Sequence, residues 1–126
     1  MSILVDSSIW IDYFRDTGQS DTLEFLIEEN LIVTNDLILA ELIPPLNLQK
    51  KKKLSELLRE IKRQPIFINW DEIIEFQTLC LKKGINGIGI PDLLIVQNTI
   101  QGELKLLSND KHFSLISKYL PLELFS

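Results

Sequence analysis

Cysteine and histidine are scarce in this sequence: there is one of each, Cys80 and His112, in 126 residues. A lone cysteine rules out an internal disulfide framework and suits a reducing compartment, so a cytoplasmic protein is expected. The same scarcity excludes a zinc site of the usual Cys/His spacing. A catalytic thiol would have only His112 as an imidazole base, so Cys80 is read as core filler in the helical stretch 75–83. No stretch approaches the ~18 consecutive apolar residues of a membrane span. The opening Met1-Ser-Ile-Leu-Val-Asp has neither the basic region nor the apolar run of a signal peptide. Also missing are a Walker loop, a dinucleotide-binding glycine fingerprint, internal repeats and low-complexity segments. Positive charge is in deficit: 13 Lys and Arg stand against 18 Asp and Glu, for a net charge of −5. That balance weighs against a protein that grips nucleic acid by electrostatics over its whole surface. It leaves room for an acidic site that holds divalent cations, because a bound metal reverses the local sign.

The length is close to that of one domain, and residues 1–126 are read as a single domain. Hydrophobic residues make up 45% and charged residues 25%, which suits a soluble globular protein with a core of its own. Ile3–Val5 is a short apolar run that reads as a buried strand ending at Asp6. Ser7-Ser8 offer a cap for a helix over Ile9–Phe14. Asp21–Asn30 reads as a helix with Leu23, Leu26 and Ile27 at helical spacing, and Leu31–Val33 as a second strand. Asn35 is placed to cap a helix over Asp36–Ile43, stopped by Pro44-Pro45. Leu46–Arg63 reads as one charged helix with Leu54, Leu57, Leu58 and Ile61 on one face, broken before Pro65. A third strand is expected at Ile66–Ile68, then a helix over Asp71–Lys83 closed near Gly84. Residues 84–89 form a loop. Pro91–Gln101 is a helix with proline in its first turn and Gly102 beyond its end. Leu104–Leu107 is a fourth strand, Asp110–Lys118 a final helix and Pro121–Phe125 a short last strand. This alternation implies an α/β fold with a mainly parallel sheet under helices on both faces. In open sheets of this class, ligands bind beyond the carboxyl ends of the strands.

Most acids fall on polar helix faces. Four do not. Asp6 follows Ile-Leu-Val at a strand end, where it could equally be a helix cap. Glu41 shares a helix face with Leu37 and Ile38, so it points toward apolar surroundings unless it reaches solvent or a lysine. Asp92 opens a helix inside the apolar run 88–96, where the helix dipole favours its ionised form. Asp110 lies just past the fourth strand, with Asn109 as a rival for capping. If the first and fourth strands are neighbours, these acids meet at one sheet edge. Carboxylates crowded there repel one another. Hard, oxygen-ligated cations such as Mg²⁺ or Mn²⁺ relieve the repulsion and act on phosphate esters by activating water and neutralising developing charge. A phosphatase with an aspartyl nucleophile would need a second Asp where Ser8 stands, and a phosphoacceptor module would need an acidic pair that is missing.

The opening Ile3-Leu-Val-Asp-Ser-Ser-Ile-Trp-Ile-Asp-Tyr-Phe resembles the first motif of PIN-domain nucleases, especially the VapC-type toxins of prokaryotic toxin–antitoxin pairs. Ala40-Glu-Leu, Gly89-Ile-Pro-Asp-Leu-Leu-Ile and Leu106-Leu-Ser-Asn-Asp-Lys-His-Phe are similar to the three that follow, in family order. The resemblance implies a PIN-like three-layer α/β/α fold and Mg²⁺- or Mn²⁺-dependent cleavage of RNA. It maps the catalytic acids onto Asp6, Glu41, Asp92 and Asp110. Asp6 and Asp92 would ligate metal, with Glu41 and Asp110 acting directly or through water. Ser8 and Ser108 would support them by hydrogen bonds. It also implies a small antitoxin partner and a homodimer. The alternative is a non-catalytic PIN-fold module that binds RNA or antitoxin. Lys50, Lys51, Lys52 and Lys53 are a candidate RNA-backbone contact or simply a solvated helix. His112 is read as structural, or as a contact behind the acids or to substrate, and Asn98 stays unassigned.

Overall fold

The computed structural model describes residues 1–15 and 21–126. Three short strands form its sheet: β1 (Ile3–Val5), β2 (Ile32–Val33) and β3 (Lys105–Leu107). All pairings are parallel and the order is β2-β1-β3, so the N-terminal strand is central. Ile3, Leu4 and Val5 have no exposed surface, which requires cover on both faces of the sheet. Among the described residues seven helices supply that cover: α1 (Ser7–Arg15), α2 (Asp21–Glu28), α3 (Asp36–Leu48), α4 (Lys52–Arg59), α5 (Trp70–Lys82), α6 (Ile90–Gln101) and α7 (Lys111–Ile116). The register pairs Leu4 with Leu106 and Val5 with Leu107, so the residues after both strands emerge side by side. Asp6 N–H donates to the Leu107 carbonyl and extends the pairing to the edge of the sheet.

Several helices end in one way. The residue after the cap turns left-handed, and its own N–H and that of the next residue reach back to carbonyls in the last turn. Asn30 (φ 55°) closes α2, Lys50 (φ 58°) closes α3, Gly84 (φ 74°) closes α5 and Glu103 (φ 53°) closes α6. Gly102 therefore precedes the left-handed position. A Cβ there would lie 2.6–3.0 Å from the end of the Gln64 side chain, so its small size is used for a close approach.

Four expectations need correction. α3 does not stop at Ile43 but carries Pro44 and Pro45 inside it to Leu48. The carbonyls that the prolines leave without partners belong to exposed Ala40 and Glu41, where water can reach them. Meanwhile Leu42, Ile43 and Leu46 bury on the opposite face, and that packing outweighs the lost hydrogen bonds. The helix expected over 46–63 is divided by the left-handed turn at Lys50, with α4 covering only Lys52–Arg59 and Leu57 left exposed. Ile66–Ile68 forms no strand. Pairing with β2 is reduced to one bridge, Thr34–Arg63, and then Pro65 has no N–H to offer. The segment after it is held by helix side chains instead: Asn98 donates to the Pro65 carbonyl and Gln101 to that of Phe67. Residues 121–125 likewise contribute a single bridge, Leu106–Leu124. Cys80 packs in the core, as expected, and burial raises its thiol pKa.

Candidate functional site

Parallel strands send their following residues to one edge of the sheet, and β1 and β3 deliver Asp6 and Ser108 there. Asp6 is only 5% exposed. A buried carboxylate needs donors, and it has two: the hydroxyls of Ser8 and Ser108 each donate to Asp6 Oδ2 at 2.8 Å. The two serine oxygens lie 3.4 Å apart and accept in turn from backbone, Ser8 Oγ from Asn109 N–H and Ser108 Oγ from Asp110 N–H. Ser8 and Ser108 therefore tie the start of α1 to the end of β3 through one carboxylate oxygen. The serine cap expected for α1 is absent: the helix begins at Ser7, and Ser8 serves Asp6 instead.

Asp110 caps α7, accepting from His112 N–H at 2.9 Å, and its carboxylate lies 3.2 Å from His112 Nδ1. Asn109, the rival for that position, turns its amide to Asp12. Asp92 occupies the third position of α6 and accepts a long hydrogen bond, 3.4 Å, from the Gly89 N–H that precedes the helix. Its capping role is genuine but weak at that distance. Ligand atoms of Asp92, Asp110 and His112 all fall within 4.8 Å of one another.

Glu41 comes from α3. Its residue surface is largely open to solvent, one of the two settings the sequence left open, because the buried stripe runs along Ile38, Leu39, Leu42 and Ile43. Its carboxyl end nonetheless sits with the other acids. Its pKa is raised, first by desolvation and then by the charges of Asp6 and Asp92, and a hydrogen bond from Ser7 partly offsets this. The Asp92 pKa is raised as well, chiefly by desolvation, with Asp110 and Asp6 adding to it and the Gly89 N–H and His112 opposing. Each of the four acids thus feels at least one of the others. Ser7 is the member that sequence reasoning did not place here, while His112, read as structural or as a contact behind the acids or to substrate, lies beside Asp110 and Asp92. The Asp-x-His spacing across a helix cap was the available signal for His112.

The donor set is rich in hard oxygens, and its mutual repulsion is what a divalent cation relieves. Asp92, Asp110 and His112, whose ligand atoms lie within 4.8 Å of one another, are the residues that would hold such an ion. Beside Glu41 opens a notch of about 160 Å³ lined by Ile11, Phe14 and Pro45, with the cations Arg15 and Lys51 among its walls. Lys51 is thereby the residue of the basic run that the fold brings beside an acid of the site.

The family model described as PIN domain matches residues 3–119. Solved structures that share the fold include the following two. One is titled as VapBC2 from Rickettsia felis bound to a DNA fragment from their promoter; it has 23% identity and a TM-score of 0.76, with 99% of this chain and 98% of that one covered. The other is FitAcB from Neisseria gonorrhoeae, with 18% identity and a TM-score of 0.71, covering 98% and 96%. At such identities the likeness is one of fold. No curated protein matches the sequence.

Proposed function

The chain belongs to the PIN domain family, and on that footing we propose that it is a divalent-metal-dependent endoribonuclease, the VapC-type toxin of a toxin–antitoxin pair. The observation that carries the reading is the gathering of Asp6, Glu41, Asp92 and Asp110 from four separate stretches of chain, with the carboxyl pKa values of Glu41 and Asp92 raised first by desolvation and then by the charges of the other acids. Acids arranged at a cost to the folded state are expected at functional sites.

In this reading Asp6 and Asp92 ligate Mg²⁺ or Mn²⁺, and Glu41 and Asp110 complete the shell directly or through water. When bound, the metal supplies a Lewis acid for the scissile phosphate and an acidified water as nucleophile. Ser8 and Ser108 fix the Asp6 carboxylate in rotation through two hydroxyl donors on one oxygen. Asp110 fixes the His112 ring from its Nδ1 side. Arg15 and Lys51 bind backbone phosphates beside Glu41, while Lys50, Lys52 and Lys53 add to the surrounding positive potential. The partners are then RNA as substrate, a small antitoxin, and a second copy of the chain as homodimer. The fold likeness to the VapBC2 and FitAcB structures supports the toxin assignment.

The test compares wild type with Asp92→Asn on a mixed pool of structured and unstructured RNAs in Mg²⁺, Mn²⁺ or EDTA. Metal-dependent cleavage by wild type alone is expected. Cleavage that survives in the variant, or in EDTA, would refute the site. Absence of cleavage by wild type on every RNA would favour a binding module.

A further inference from the structure

Away from the acids, two asparagines are buried without any charge to explain them. Asn35 has no exposed surface and Asn98 has 1%. The Asn35 side chain does two jobs. Its Oδ1 caps α3, accepting from Ile38 N–H at 2.8 Å, and its Nδ2 donates to Asn98 Oδ1 at 2.9 Å. Asn98 belongs to α6, and its own Nδ2 donates to the Pro65 carbonyl at 2.9 Å. α3 carries Glu41 and α6 carries Asp92. A purely local need, capping α3, would be met by serine or aspartate. Neither could also reach across and donate to α6.

We infer that Asn35 and Asn98 are positioning residues that set the spacing of the Glu41 helix and the Asp92 helix, and so the affinity of the acid site for a divalent cation. This rests on the metal-site reading above. Asn35 is six residues from Glu41 along α3, and Asn98 is six residues from Asp92 along α6. At 1.5 Å per residue, each lever is about 9 Å long. A tilt of about 6° over that length moves a carboxylate by about 1 Å, which is enough to spoil ligation. The acids repel one another and cannot hold their own spacing before the metal arrives. A hydrogen-bonded pair buried among apolar side chains can, because slipping would strand unpaired polar groups away from water. Pro65 gives the pair a third anchor, on the strand-like segment between α4 and α5.

The experiment measures Mn²⁺ affinity by calorimetric titration and stability by urea unfolding in EDTA, on the full chain. Asn35→Ser keeps a capping oxygen but cannot reach Asn98. Asn98→Leu removes the pair from the other side. Leu26→Ala, in α2, is the control for general destabilisation, since Leu26 is fully buried and belongs to neither acid-bearing helix. The two asparagine variants should bind Mn²⁺ about tenfold more weakly than wild type. Leu26→Ala should lose comparable or greater stability with its Mn²⁺ affinity unchanged. The inference is overturned if folded Asn35→Ser and Asn98→Leu both bind Mn²⁺ within twofold of wild type, or if Leu26→Ala weakens binding as much as they do. If wild type takes up no Mn²⁺, the metal-site reading has failed and this inference falls with it. A failure of the positioning role alone leaves wild-type binding intact.

Discussion

Replacing Asp92 with asparagine should destroy metal-dependent cleavage and, at the same time, make the metal-free protein more stable. The two effects share a cause. Asp92 and Asp110 present ligand atoms within 4.8 Å of each other. Two unit charges at that distance repel by about 1 kcal/mol at the dielectric of water and about 3.5 kcal/mol at an effective value of 20. Asp92 is only half-buried and His112 offers partial compensation, so the lower figure is the better guide. Asparagine has nearly the same shape and keeps an oxygen for the Gly89 N–H. A gain of about 1 kcal/mol should raise Tm by about 3–5 °C in a chain of this size. Scanning calorimetry in EDTA at pH 7 and low salt reads it directly. The gain should also depend on pH in a defined direction. An acid whose pKa is raised in the folded state is stabilising when protonated, below the ordinary carboxylate range, and loses that contribution as pH rises through the raised value. The difference between variant and wild type should therefore be small near pH 4 and largest at neutral pH. Adding Mg²⁺ at about ten times its Kd should then stabilise wild type by about 1.4 kcal/mol and leave the variant unmoved. If Asp92→Asn is no more stable than wild type in EDTA, and Mg²⁺ leaves the wild-type Tm unchanged, the picture of a repulsive cluster relieved by metal is wrong.

Other predictions follow from separate parts of the structure. Mn²⁺ affinity should fall as pH drops toward the carboxylate range, starting at higher pH than it would for ordinary carboxyls, because protons compete for Glu41 and Asp92, and an affinity unchanged down to about pH 4 would exclude them as ligands. Lys51→Ala should weaken RNA binding and flatten its salt dependence by about one counterion, measured by fluorescence anisotropy against salt concentration. An unchanged slope would assign Lys51 to solvent. Lys50→Gly should stabilise the protein by about 0.5–1 kcal/mol in urea unfolding, since φ is 58° there and glycine adopts that conformation without strain. Ser108→Ala should leave Asp6 with one hydroxyl donor instead of two and cost about 1–3 kcal/mol, with a further loss of metal affinity.

What could be read in advance depended on how local the cause was. β1, β3 and the start of α6 were legible because their signals are adjacent in sequence: an apolar run, broken in β3 by Lys105 alone, or a proline in a first turn. Asp6 and Asp92 stood out for the same reason, as acids abutting apolar runs, and Asp110 by its place just past the fourth strand. The two prolines of α3 misled because local rules count a lost hydrogen bond and cannot see that Leu42, Ile43 and Leu46 bury on the far side. The break at Lys50 was hidden because lysine is a good helix former and no local residue type marks the left-handed geometry it adopts. Ile66–Ile68 has the composition of a strand, yet Asn98 and Gln101 compete for its carbonyls from a helix more than thirty residues away.

The sequence by itself determined the inventory: which runs must be buried, where acids interrupt them, and that alternating strands and helices would place strand ends along one edge. Short-range chemistry suffices for that. Only the tertiary structure decided that β1 is central and next to β3, which brings Ser8 and Ser108 onto a single oxygen of Asp6. It alone raised the pKa values of Glu41 and Asp92, brought Asp92 beside Asp110 and His112, and joined Asn35 to Asn98. Those properties depend on distances between residues far apart in the chain. Such distances are set by how the whole core packs, and no window of the sequence contains them.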